Sequence, residues 1–342
     1  MSKQMFGIIA LTAAIAQVKN PKSFIWDIMI GRESTEKTIQ FEMHTKNEGR
    51  YRAPLVGRRE NSILVEREAF QVQVVEPAMI KIHTVNEAEN MFKQQFGQTK
   101  YQQNTDKVWK QQLADDMKKL KNIGFRTKVW MLTTLIKTGV CPMASGEKGI
   151  SYGEFQKEVL SGNDMFTHQD ADILAYLEKK QRNIQEKTGL IPDTVITTPK
   201  VAAAILNNSK VKEYLKETNA NIFMINDKTA EKNTGEKLVA YLPTLGITIY
   251  SYVDWYAELG TDEETTVLEE GDLILFKKGS FRCQYGALAL RAKSGEPATK
   301  FVEKEVLRPR YPENSEDDLL EYVSAPLISP EDAQGWAYAK VA

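Results

Sequence analysis

The sequence predicts an α+β protein made of an N-terminal arm, an extended two-stranded ribbon, one very long helix and a compact α/β subdomain. Three observations carry this reading. Period-2 alternation flanks a highly charged stretch within residues 38–82. A helical pattern then runs from 106 to 138. Beyond residue 164, helix and strand patterns alternate at short intervals. With 342 residues and 42 % hydrophobic content, the chain can bury a sizeable core and is long enough for one large domain or two ordinary ones.

The N-terminus, "MSKQMFGIIALTAAIAQV", has one lysine, an apolar run and Ala14-Ile15-Ala16, the outline of a secretion signal. Thr12 and Gln17 interrupt the run, which is too short to span a bilayer. Met5, Ile8, Ile9, Leu11, Ile15 and Val18 better suit an amphipathic helix docked on protein. Asn20-Pro21 forms a loop and an apolar turn follows at 24–30, so residues 1–37 read as an arm.

Ile39, Phe41 and Met43 alternate, as do Ile63 and Val65, then Phe70, Val72 and Val74, until Glu76-Pro77 breaks the pattern. Five arginines (Arg50, Arg52, Arg58, Arg59 and Arg67) are mixed here with Glu48, Glu60, Glu66 and Glu68. A ribbon this polar has little to pack on within its own domain. It is expected to lie on a neighbouring copy, which points to a self-assembling subunit. Mixed charges at such a rim fix register and penalise wrong partners, and arginine pairs bidentately with carboxylates. The candidate intersubunit contacts are Arg50, Arg52, Arg58, Arg59, Glu60, Glu66 and Arg67.

Thr84 and Glu87 suit a capping box for a short helix through residue 96. In the next helix Trp109, Leu113, Met117 and Leu120 follow three- and four-residue steps, and Val129 to Ile136 is apolar on most sides. At 1.5 Å per residue this element is about 50 Å long, several times an ordinary helix, and reads as a spine. Gly124 is expected to kink it, and Gly139 and Pro142 to end it. Residues 146–149 suit a hairpin tip.

Residues 164–275 read as the α/β unit. One helix ends at Gly189 as its C′ residue, "DTVITT" is a strand, and Thr198-Pro199 caps and starts another helix. "GITIYSYV" and "GDLILF" are further strands, and Trp255 and Tyr256 are read as core. Residues 276–342 return as short strands. "LEYVSAPLI" and "GWAYAKVA" are expected to pair with the spine region, making one subdomain discontinuous in sequence.

Chemistry finds little purchase. A net charge of −1 gives no bulk attraction to nucleic acid or acidic membrane. Cys141 and Cys283 lie far apart, fitting a reducing cytosol, and His44, His83 and His168 are scattered, so neither a metal nor a cofactor is expected. Neither G-x-x-x-x-G-K-[ST] nor G-x-S-x-G occurs. Lys137-Thr138-Gly139, Ser145 to Lys148 (S-x-x-K) and Ser161-Gly162-Asn163 mimic the triplets of penicillin-binding enzymes, but in the wrong order and within 27 residues. A secreted serine hydrolase is the weakest alternative, and no enzyme is expected.

The chain resembles the major capsid (head) proteins of lambda-like tailed bacteriophages, which adopt the Hong Kong 97 capsid fold. "APLVGRRENSILVEREAFQVQVVEPAM" is similar to that family's extended loop and following strand, and the helix at 106–138 to its spine helix. "GDLILFKKGSFRCQYGAL" resembles its return from the axial to the peripheral subdomain. "RYPENSEDDLLEYVSAPLISPEDAQGWAYAKVA" resembles its C-terminal end. The resemblance implies an arm, an extended loop at 38–82, a peripheral domain at 83–163, an axial domain at 164–275 and a return at 276–342. It implies self-assembly into hexamers and pentamers of an icosahedral head around double-stranded DNA, in a virion assembled in the host cytoplasm. The implied partners are further copies, a scaffold, a portal, decoration proteins and packaged DNA on the inner face, with no membrane. Some relatives crosslink through a lysine, an asparagine and a catalytic glutamate. That constellation has no match here, so non-covalent assembly is expected. An encapsulin-like nanocompartment shell is the nearer alternative.

Overall fold

The computed structural model describes residues 7–46, 70–86, 105–144, 147–169, 171–217, 235–291, 297–310 and 318–342. The chain begins with α1 (Ile8–Gln17), then α2 (Phe24–Met29), which runs directly into β1 (Ile30–Thr35). The turn expected at 24–30 is thus helical, and it buries Ile25, Trp26, Ile28 and Met29. β2 (Phe41–Lys46) and β3 (Phe70–Val75) pair antiparallel as a ribbon, followed by β4 (Ile80–Asn86). Thr84 lies inside β4, opposite Leu320, so it caps no helix; Glu87 lies outside the described residues.

α3 (Thr105–Thr138) is the spine, 34 residues long. β5 (Val140–Cys141) and β6 (Ile150–Ser151) form a hairpin behind it, and β7 (Gln156–Val159) follows. Next come α4 (Ile173–Thr188), β8 (Thr194–Thr197), α5 (Pro199–Asn207), α6 (Ser209–Glu217), β9 (Glu236–Leu242) and β10 (Ile247–Tyr252). α4 ends where Gly189 adopts φ of 79°, the left-handed conformation that glycine takes without steric cost. α5 starts at Pro199 as expected, but the Thr198 hydroxyl accepts from Gly271 N and does not cap the helix.

The hairpin β11 (Trp255–Ala257) and β12 (Glu264–Thr266) precedes β13 (Asp272–Phe276). The chain closes with β14 (Phe281–Tyr285), β15 (Leu288–Leu290), β16 (Thr299–Phe301), β17 (Val306–Arg310), β18 (Asp318–Ser324), β19 (Pro326–Pro330) and β20 (Trp336–Lys340).

The largest sheet has the order β7-β20-β13-β8-β10-β9. Alternation explains why it forms the middle of the molecule. On β8, Ile196 faces one core and Val195 the other. On β13, Ile274 and Phe276 oppose Leu273 and Leu275; on β20, Trp336 and Tyr338 oppose Ala337 and Ala339. Both faces are apolar, as in sheets covered on both sides. α4, α5 and α6 supply the cover on the Val195 side through Leu177, Ile184, Val201, Ile205, Val211 and Leu215. α2 and α3 supply the other. β20 is thus an inner strand of this sheet, paired in parallel with β7 and antiparallel with β13, and one of its faces packs toward the spine. Its Trp336 indole reaches the spine, donating to Ile136 O at 3.2 Å. Its alternation places Trp336 and Tyr338 in one core and Ala337 and Ala339 in the other.

Two smaller sheets complete the framework. β1 pairs in parallel with β14, which pairs antiparallel with β19. β18 lies between β17 and β4. α1 rests on the β17-β18-β4 sheet and on the first half of α3, burying Ile8, Leu11 and Ile15; Ile9 is exposed and Met5 lies outside the described residues. Trp255, expected in the core, is half exposed at the edge of its hairpin, while Tyr256 packs inward.

Gly124 lies within an unbroken helix, and its role is close approach: a Cβ there would stand 2.6 Å from the ring of the fully buried Tyr322. Two effects oppose each other in Gly124→Ala. Helix propensity favours alanine by about 1 kcal/mol, whereas overpacking a fixed ring costs roughly 1–3 kcal/mol. Tyr322 is pinned at both its ring and its hydroxyl, so overpacking wins. Gly124→Ala should lower stability by about 1–2 kcal/mol in urea titration; a gain in stability would show that the ring can move aside.

Candidate assembly surfaces and their framework

α3 turns Leu113, Met117, Leu120, Phe125, Val129, Leu132, Leu135 and Ile136 inward. Two lysines share that buried side. Lys121 and Lys128 stand two helical turns apart and are 4 % and 2 % exposed. A buried ammonium persists only when paired and hydrogen-bonded, and Glu305, just before β17, meets this need. Lys128 Nζ donates to Glu305 Oε1 at 2.7 Å and to Tyr285 OH at 3.4 Å, 4.9 Å from the centre of the Tyr285 ring. Lys121 Nζ is 3.5 Å from Glu305 Oε2. Tyr322 OH donates to Glu305 Oε1 at 3.0 Å.

Lys121 also donates to the carbonyls of Ile15, at 2.9 Å, and Val18. These groups sit at the C-terminal end of α1, which has no basic residue in its own last turn. Lys121 satisfies acceptors a helix end leaves open and balances its negative dipole end. One carboxylate thus fixes α1, α3, β14 and β18 at a single point. Burial pushes the Glu305 carboxyl up, but Lys128, aided by Lys121 and the Tyr322 hydroxyl, outweighs this and holds it below the usual glutamate range.

A second node holds the last turn of α3. Lys137 Nζ lies 3.2 Å from Asp272 Oδ2 and 3.6 Å from Glu269 Oε1. Asp272 is fully buried and also accepts from Tyr338 OH at 2.8 Å and Glu269 N at 2.9 Å. Lys137 is the lysine of the enzyme-like KTG triplet, and here it fastens the spine to β13 and β20. Thr138 Oγ1 turns back to Thr134 O, Gly139 ends the helix, Ser161-Gly162-Asn163 forms an exposed turn, and Ser145 lies outside the described residues. Among the described residues no group of three or more His, Cys, Asp or Glu is placed to hold a metal ion.

Against this rigid interior, the β2–β3 ribbon stands apart. Among the described residues its two strands pair only with each other, and a lone two-stranded ribbon is marginal in water. Val75 is buried, but Val72 and Val74, on the opposite face, are 46 % and 61 % exposed. The ribbon leads to the charged stretch read as an intersubunit surface. Arg50, Arg52, Arg58, Arg59, Glu60, Glu66 and Arg67 all lie outside the described residues. Sequence reading missed the Lys121–Glu305–Lys128 node. Its signal was two lysines seven apart inside an apolar helical stripe, where solvated lysines do not belong.

The family model for phage major capsid protein E matches residues 8–341. The chain belongs to that family. It is a structural protein of the phage capsid shell, and its place is the virion; no catalytic role attaches to the family. This favours a phage shell over the nanocompartment and hydrolase alternatives. A capsid protein of a prophage from Escherichia coli CFT073 has the same fold, with TM-score 0.66 and 16 % identity over 99 % of this chain and 100 % of that one. A phage-related protein from Bordetella bronchiseptica RB50 aligns with TM-score 0.52 and 12 % identity over 99 % of this chain and 98 % of that one. Among curated proteins no sequence matches. No helix of the described residues is long and apolar enough to cross a membrane.

The Glu305 node sets a pH dependence for this capsid protein. A carboxylate held low in the fold contributes stability above its unfolded value near 4.3, and that contribution disappears as pH falls through the folded value. Glu305→Gln should cost about 3–5 kcal/mol at neutral pH, because it leaves two buried ammonium groups short of a counter-charge. It should also flatten the wild type's loss of stability as pH falls from about 5 through the folded carboxylate's lowered range in urea titrations. A cost below about 1 kcal/mol would remove the node from the framework. The thiols give an independent check. Burial pushes Cys141 up to about 11 and Cys283 up to about 12. Neither should react with a thiol reagent at about pH 8 in the folded protein, and both should react once it is unfolded in urea; labelling of the folded chain would show that the core opens.

Proposed function

We propose that the protein is the repeating subunit of an icosahedral phage head, assembling non-covalently into hexamers and pentamers around double-stranded DNA. The family match across residues 8–341 carries this reading. In it, residues 164–275 act as the axial unit, residues 83–163 with 276–342 as the peripheral unit, and residues 1–37 as the arm. Residues 38–82 form the loop that reaches a neighbouring copy, with Arg50, Arg52, Arg58, Arg59, Glu60, Glu66 and Arg67 in intersubunit pairs.

The exposed valines of the β2–β3 ribbon support the loop's role, since a two-stranded ribbon gains a second face of packing only from another molecule. Many weak contacts closing a shell reinforce one another, so no single interface need be strong. A scaffold, a portal and decoration proteins are partners in this reading, and packaged DNA meets the inner face without sequence preference.

Electron microscopy of the purified chain, with gradient sedimentation, tests the reading: closed shells, or hexamer and pentamer rings, are expected. Arg58→Glu with Arg59→Glu should abolish assembly while circular dichroism and thermal melting of the subunit stay unchanged. Normal shells from that double variant would exclude this segment from the intersubunit contact.

A further inference from the structure

The six-stranded sheet separates two surfaces of opposite character. On one side the β11–β12 hairpin tucks Tyr256 against the core that faces the spine. Period 2 along β11 turns Trp255 outward, and Trp255 and Leu259 are 50 % and 72 % exposed. Large apolar side chains this open mark interaction surfaces when they cluster. Glu258, Asp262, Glu263 and Glu264 surround them, all exposed and without ion pairs among the described residues.

On the other side lies the outer face of α6. Lys212 and Lys216 are exposed, four residues apart, and without ion pairs among the described residues; the neighbouring Lys210 is held by Asp172 at 2.8 Å. Like charges at this spacing weaken a helix. Glu213 lies about 100° around the helix from Lys212; it stands three residues before Lys216, but no ion pair joins those two among the described residues.

The two surfaces fit each other, not themselves. An acid-rimmed apolar knob repels its own kind and attracts a lysine-bearing helix, whose ammonium groups can also sit over the Trp255 ring. Complementary patches on different faces give a head-to-tail contact, which closes into a ring when the rotation between copies closes. We propose that the β11–β12 hairpin of one copy docks on the α6 face of the next, with Trp255 and Leu259 as anchors and Glu258, Asp262, Glu263 and Glu264 facing Lys212 and Lys216. This rests on the shell-subunit reading and names which surfaces of residues 164–275 meet.

The test uses full-length chains under conditions in which the wild type forms shells. The hairpin variant (Asp262→Lys, Glu263→Lys, Glu264→Lys) and the helix variant (Lys212→Glu, Lys216→Glu) alter only exposed side chains, and thermal melting verifies that both fold. Each alone should lose at least about tenfold of its assembled fraction, because like charges then meet across every contact. One chain carrying all five substitutions should regain shells. Mixing the two single-surface variants should give rings of alternating composition, seen as equal amounts of both in the hexamer by native mass spectrometry. Unimpaired assembly of either folded variant, or failure of the five-substitution chain to regain shells, would overturn the docking proposal while leaving the shell reading intact. A wild type that forms neither shells nor rings, even with a scaffold, would instead overturn the shell reading.

Discussion

The structure depends on one carboxylate. Glu305 lies between Lys128 and Lys121, and through them it sets where α1, α3, β14 and β18 meet. Replacing such a buried network with apolar residues of similar size need not cost stability, but removing one partner does. Its value is therefore positional. Apolar packing alone would let α1 slide along the spine, since leucine and isoleucine accept many registers. Hydrogen bonds from Lys121 to two named carbonyls at the end of α1 accept only one.

A shell subunit needs this kind of definition. Its interfaces are repeated in every copy, so a small error in the angle between the spine and the α/β sheet is repeated in every contact. The second node, Lys137 with Asp272, fixes that angle at the other end of α3, where Trp336 also bonds to the helix. Between the two nodes the spine is held over most of its buried length. What stays apart is the β2–β3 ribbon and the β11–β12 hairpin, both carrying apolar side chains outward. A well-defined interior with apolar side chains turned outward on two hairpins suits the subunit of a shell.

Much of this was legible from residue order. The spine's bounds agree to one residue at its start, because the helical pattern read at 106–138 is long enough to leave little room for error. The α4 end was readable from Gly189 and the α5 start from Pro199, since each residue has a backbone preference of its own. Other readings failed where local chemistry had a competing use. Thr84 can cap a helix but serves equally as a strand residue, and pairing with β18 decided it. Gly124 can kink a helix, yet the neighbouring Tyr322 ring gives it a different purpose. Trp255 looked like core because tryptophan usually is, but its strand sits at an edge where every second residue faces water.

Residue order by itself determined the spine, the end of α4 and the start of α5, because periodicity and turn residues are properties of neighbours along the chain. The tertiary structure alone decided which distant residues share a site. Lys128 and Glu305 are 177 residues apart, and Trp336 reaches Ile136 across 200. Nothing local distinguishes Glu305 from the chain's other glutamates. A charge becomes a structural centre only when the fold removes water from around it, and that removal depends on every element packed against it at once.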